Sequence, residues 1–198
     1  MLFRSDRGSI VPYGIDEHWL DLQPRPVPGR VLFVGTAGLR KGLHYLALAS
    51  EELSRRGRRY DYVVAGDVAA RIANQPACRH LRFLGRIPRR QVYEQFSTAD
   101  LFVLPTLAEG SAEATYEALA SGLPVVTTPA AGSVVCDGVE GYLVSERDPR
   151  ALADAIERVV ENRSLRAKLA SAARARARDF TLSHYGSRLV AALSSFDR

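Results

Sequence analysis

The chain has 198 residues, 46% of them hydrophobic and 25% charged, with a net charge of +5. That length suits one buried core rather than two complete domains, and the composition excludes the biases of disordered or collagen-like chains. Its longest apolar runs, such as Leu101 to Pro105, fall far short of the roughly 20 residues that cross a bilayer.

Residues 1–30 hold an apolar Ser9-Ile10-Val11-Pro12 segment, a Tyr13-Gly14 turn and a proline-rich stretch from Gln23 to Gly29. This is the composition of a connector and leaves 31–198 as the folded domain. Val31-Leu32-Phe33-Val34-Gly35 is a continuous apolar run stopped by glycine, the pattern of a strand buried on both faces of a parallel sheet. From Lys41 to Arg56, apolar residues recur at three- and four-residue spacings, which predicts an amphipathic helix ending before Gly57.

A second strand follows at Tyr60 to Ala65, then a short helix after Asp67, a strand at Leu81 to Leu84 and a helix from about Arg89 to Ser97. Further strands are predicted at Leu101 to Leu104, Pro124 to Thr127 and Tyr142 to Val144, with a helix from about Ala112 to Ser121. Asp148-Pro149 opens a helix as cap and first-turn proline. That helix is expected to run to about Arg178, and a last one spans Thr181 to Ser195. Regular βα alternation without hairpin signals predicts an α/β fold, a doubly wound, Rossmann-like parallel sheet in a single domain.

Cys78 and Cys136 have neither the spacing nor the histidine neighbours of a zinc site, so no metal is expected there and both read as buried or idle thiols. The start, Met1 to Arg7, lacks an apolar stretch of secretory-signal length, which gives a cytoplasmic expectation. Excess positive charge lies in Arg55 to Arg59, Arg86 to Arg90 and Arg163 to Arg178. The first and third groups read as solvated helix faces; a peripheral membrane contact is an unspecific alternative, and no nucleic-acid partner is expected.

Ligands of open parallel sheets bind beyond the carboxyl ends of the strands, where free helix amides attract anions. Two loops there carry chemistry. Gly35 to Gly42 combines glycines that admit close backbone approach with Arg40 and Lys41, although its spacings match neither the dinucleotide fingerprint nor the Walker loop. A phosphate site and a plain surface loop with two solvated cations fit it equally. The second loop brings Glu109 and, eight positions later, Glu117 toward one crevice, with amides of Ser111, Ala112 and Glu113 between them. Glu109 and Glu113 also fit a dipole-stabilising role at a helix start. Glu117 lies in a small, apolar helix, Tyr116-Glu117-Ala118-Leu119-Ala120, and so requires a partner.

Glu109-Gly110 through Glu117-Ala118-Leu119-Ala120-Ser121-Gly122-Leu123-Pro124 resembles the Glu-x7-Glu signature of the group 1 (family four) retaining glycosyltransferases. Val11 to Asp16, Gly35 to Gly42, Leu81 to Gly85 and Gly132 to Val144 extend the similarity to about residues 9–195. The resemblance implies the carboxyl-terminal, donor-binding domain of the two-domain GT-B architecture. By position it places Glu109 at the donor sugar as the catalytic candidate, Glu117 at the ribose hydroxyls, Lys41 at the diphosphate, the Gly85-Arg86-Ile87 turn at the base, and amides near Ser111 to Glu113 at the leaving phosphate. A nucleoside-diphosphate sugar is the implied ligand, with no metal or other cofactor, since cations and oriented amides suffice to stabilise the leaving group.

Three features depart from the family. Thr36 stands where arginine is common, which leaves Arg40 to meet part of the diphosphate charge, and Glu113 adds negative charge near the phosphate. Only about thirty residues precede the first strand, so the amino-terminal acceptor domain is missing and the chain alone is not expected to transfer sugar. A different class of function, a nucleotide or sugar-nucleotide binding module that regulates or scaffolds a partner, fits the same residues.

Overall fold

The computed structural model describes residues 10–36 and 38–196. The readings placed on residues 1–9, on Ala37 of the first loop and on residues 197–198 lie outside the described residues. Six strands form one parallel sheet: β1 (Arg30–Val34), β2 (Asp61–Ala65), β3 (Leu81–Gly85), β4 (Leu101–Leu104), β5 (Val125–Thr127) and β6 (Gly141–Leu143). Their order across the sheet is β3-β2-β1-β4-β5-β6, the doubly wound topology. Val31, Leu32, Phe33, Val63, Val64, Leu101 to Leu104, Val125 and Val126 are all fully buried. Such unbroken burial is what apolar runs without alternation require of a sheet covered on both faces.

The helices are α1 (Leu43–Arg55), α2 (Ala70–Ala73), α3 (Arg89–Thr98), α4 (Glu113–Ala120), α5 (Pro149–Glu161), α6 (Arg163–Ala177) and α7 (Leu182–Phe196). Crossovers leave the two sides of β1 in opposite directions, which places α1 with α5 over one face and α4 with α6 over the other. The cap of α5 forms as the sequence implied: Asp148 accepts from the amides of Arg150 and Ala151 at 3.0 and 2.8 Å, with Pro149 in the first turn.

The single helix expected from Pro149 to Arg178 is instead two. Asn162 leaves helical geometry at φ −108°, ψ 92°, and its side chain accepts from the Leu165 amide at 3.0 Å, capping α6. Asn162→Ala is expected to cost about 1 kcal/mol, read as a lower urea midpoint at unchanged slope.

The stretch read as a connector contributes two buried side chains to the core, Ile15 and Trp19. Trp19, in a short 3-10 helix at Glu17–Asp21, is fully buried against the rings of Tyr93 and Phe96, at 4.3 and 5.1 Å between centroids. Ile15 is bridged to Thr181: its amide donates to the Phe180 carbonyl at 2.8 Å and its carbonyl accepts from Leu182 at 2.9 Å. Gly14 fits there because a Cβ would sit 2.7 Å from the Tyr185 Cβ.

Nor are the arginine groups only solvated faces. Arg174 donates to the carbonyls of Leu20 and Leu22, which ties α6 to this segment. Arg166 pairs at 3.2 Å with Asp100, a carboxylate 2% exposed that also accepts from the Gly29 amide at 2.7 Å. Arg56 and Arg58 bind Asp154, Glu157 and Glu161, linking the end of α1 to α5.

Candidate functional site

Between β1 and β4 the chain departs in opposite directions, and the loops that follow these strands cross at that point. Their crossing is locked by backbone. The Arg40 carbonyl accepts from the Thr106 hydroxyl at 2.9 Å and from the Leu107 amide at 2.8 Å. Gly42, at φ +71°, passes so close to Pro105 that a Cβ would lie 1.8 Å from its carbonyl oxygen. This is the position where open α/β sheets form a ligand crevice.

Glu109 is held at the crossing by both predicted cations. Arg40 Nη1 lies 2.6 Å from one carboxylate oxygen and Lys41 Nζ 2.8 Å from the other, and the carboxylate is 11% exposed. The Lys41 contact is a close ion pair to Oε1, and a carboxylate oxygen can accept from more than one donor. Burial pushes the Glu109 carboxyl up, but the two cations outweigh it and hold it below its ordinary range. Gly35 makes room for the lysine: a Cβ there would approach the Lys41 Cδ and Cε at 3.0 Å.

Of the amides expected to meet a phosphate, one is already engaged. The Ala112 N–H donates to the Ala131 carbonyl at 3.0 Å. The β4–α4 loop is thereby stitched to the chain after β5, a constraint invisible to loop composition. Among the described residues, the Ser111 and Glu113 amides have no hydrogen-bond partner, while the Ser111 hydroxyl donates to Tyr116 Oη at 3.1 Å. Glu113 itself is exposed in the first turn of α4.

Glu117 is 3% exposed, and the partner its burial demands comes from α3: Arg89 Nη2 lies 2.7 Å from Oε1. The guanidinium of Arg89 lies over the rings of Trp19 and Tyr93, 5.1 and 5.7 Å from their centroids. Burial pushes the Glu117 carboxyl up to about 7, with Arg89 opposing and Glu113 adding to the rise. Sequence reasoning found the need but not the partner; Pro88-Arg89 at a helix start, in the same turn as Arg86 and Ile87, was the available signal.

Arg86 and Ile87 line a cleft of about 420 Å³ beyond the ends of β1, β2 and β3, together with Gly35, Thr36, Asp67 and Val92. Asp67, exposed at the end of β2, is a lining carboxylate the sequence reading passed over. Among the described residues, no three His, Cys, Asp or Glu side chains converge to hold a metal ion, and no helix is long and apolar enough to cross a membrane. Cys78 is buried and Cys136 exposed, both free thiols.

A family model described as glycosyl transferases group 1 matches residues 22–176. The chain belongs to that family. Alpha-D-kanosaminyltransferase of Streptomyces kanamyceticus is 31% identical over 187 residues, 90% of this chain and 46% of that protein. This group 1 glycosyltransferase chain spans about half the length of the curated relatives it matches. The structure of Anabaena Alr3699/HepE in complex with UDP and glucose superposes with a TM-score of 0.78 at 20% identity, covering 97% of this chain and 58% of that one. The C-terminal domain of a glycosyl transferase group 1 family protein (LpcC) from Francisella tularensis gives 0.71 at 21% identity, over 82% of this chain and 95% of that one. The glycosyltransferase chain therefore has the fold of a GT-B carboxyl-terminal domain.

Proposed function

We propose that this glycosyltransferase chain holds a nucleoside-diphosphate sugar across the β1/β4 switch point and, joined to an acceptor-binding half, transfers the sugar with retention. One observation carries the reading: a carboxylate clamped by two cations, Glu109 with Arg40 and Lys41, lies at the crossing of the loops, and the buried Glu117 stands eight positions on. UDP and glucose in the complex of the structurally similar Anabaena protein support the ligand class.

In this arrangement the cations of Lys41 and Arg40 neutralise the diphosphate, while the amides of Ser111 and Glu113 meet the leaving phosphate as its charge grows. Glu109 accepts hydroxyls of the donor sugar, Glu117 those of the ribose, and the Arg86-Ile87 turn receives the base. The sugar–phosphate bond breaks as an acceptor hydroxyl oxygen bonds to the anomeric carbon; the nucleoside diphosphate departs with the electron pair, and its freed phosphate oxygen takes the acceptor's hydroxyl proton. No resident metal or cofactor is assigned a role.

Lys41→Ala tests the phosphate assignment. It removes one charge-assisted contact worth about 1.5–3 kcal/mol, so affinity for a nucleoside diphosphate should fall roughly 10- to 100-fold while the free nucleoside is little affected. Titration calorimetry with UDP, GDP and ADP against their nucleosides reads this directly. Equal weakening of nucleoside and diphosphate would place Lys41 elsewhere.

A further inference from the structure

Arg89 does more than neutralise a buried acid. Its side chain is 55% exposed yet fixed from two sides, by Glu117 at 2.7 Å and by the faces of Trp19 and Tyr93. The ring shelf is itself anchored, since Trp19 is fully buried and His18 stacks over it at 5.9 Å between centroids. Of the five N–H donors of a guanidinium, those turned to solvent stay free for a ligand. The Glu117 Oε1 facing Arg89 is buried, and a carboxylate oxygen can accept from more than one donor.

We infer that Arg89 is a donor-positioning residue: held on the Trp19–Tyr93 shelf, it fixes the Glu117 carboxylate in place and keeps it ionised to accept the hydroxyls of the nucleotide ribose. This rests on the reading of Glu117 proposed above. The charges facing Glu117 come from three elements. Arg89 of α3 and His18 of the 3-10 helix favour its anion, and Glu113 of α4 opposes it. His18 is in turn paired with Asp16 at 2.6 Å. The α6 cations Arg166 and Arg174 are engaged by Asp100 and by the carbonyls of Leu20 and Leu22. Arg89 is thus the closest counter-charge, and the burial that lifts the carboxyl to about 7 makes its ionisation depend on that charge near neutral pH.

The experiment measures UDP-glucose affinity between about pH 5.5 and 8.5 for wild type, Arg89→Gln, Arg89→Lys, Tyr93→Leu and Glu117→Gln; the pyrophosphate diester of this ligand does not titrate in that range. Wild type should gain affinity through a midpoint near 7. Arg89→Gln should move that midpoint up by about one unit, weakening binding about fivefold at pH 7 and much less at pH 8.5. Arg89→Lys should restore most of the profile, and Tyr93→Leu, which removes one of the two rings of the shelf, should shift it in the same direction as Arg89→Gln. A 13C NMR titration of the Glu117 carboxyl reads the same shift without ligand. If wild type binds and Glu117→Gln does not, but Arg89→Gln keeps the wild-type profile, the role of Arg89 is overturned and that of Glu117 stands. If neither UDP-glucose nor a GDP- or ADP-sugar binds wild type, the donor reading fails and this inference with it.

Discussion

Glu117→Gln should stabilise the fold at pH 8 while removing its affinity for nucleotide sugars. In the folded protein burial raises this carboxyl from 4.5 to about 7, whereas the unfolded chain ionises near the lower value. Between those two values the native state binds more protons than the unfolded one, so stability falls as pH rises through that window and levels off above it. A difference of about 2.5 units corresponds to roughly 3 kcal/mol at pH 8. Glutamine keeps the shape without the charge, and the Arg89 it leaves behind is exposed enough to be solvated by water. A gain on the order of 2–3 kcal/mol, or about 4–10 °C in Tm for a chain of this size, is expected at pH 8 and should shrink toward zero at about pH 4.5. Thermal melts at the two pH values check it; equal melting of variant and wild type at pH 8 would mean that the carboxylate is not strained by its surroundings.

Trp19→Ala should cost about 3–5 kcal/mol, the range for emptying a fully buried large aromatic site. The indole packs against α3, touching Tyr93 and Phe96, and it forms part of the shelf on which Arg89 rests. Urea unfolding should show the midpoint falling, and the Glu117–Arg89 pair should loosen with it. A loss below about 1 kcal/mol would show that residues before β1 are a detachable connector after all.

Most of the sheet was legible because each strand is a short apolar run ended by glycine or a turn, as at Val31 to Gly35 and Leu101 to Leu104. Periodicity failed at Asn162, since apolar spacing continues from Ile156 and Val159 into Leu165 and Leu169 and hides a one-residue break. Trp19 was missed because the surrounding prolines and charges read as a linker, whereas its burial depends on α3, which lies some seventy residues further on. At the site, Glu109, Lys41 and Arg40 stood out by type and spacing. The Glu117–Arg89 pair joins helices 113–120 and 89–98, and the loss of the Ala112 amide to Ala131 is a long-range backbone bond; local pattern carries neither.

Titration calorimetry of this chain with UDP, GDP and ADP, each against its nucleoside, tests the central claim most directly. Saturable one-to-one binding of one nucleoside diphosphate is expected, lost on Glu117→Gln and reduced roughly 10- to 100-fold by Lys41→Ala. Absence of binding by all three, from a chain whose melt shows it folded, would contradict the donor site at the β1/β4 crossing.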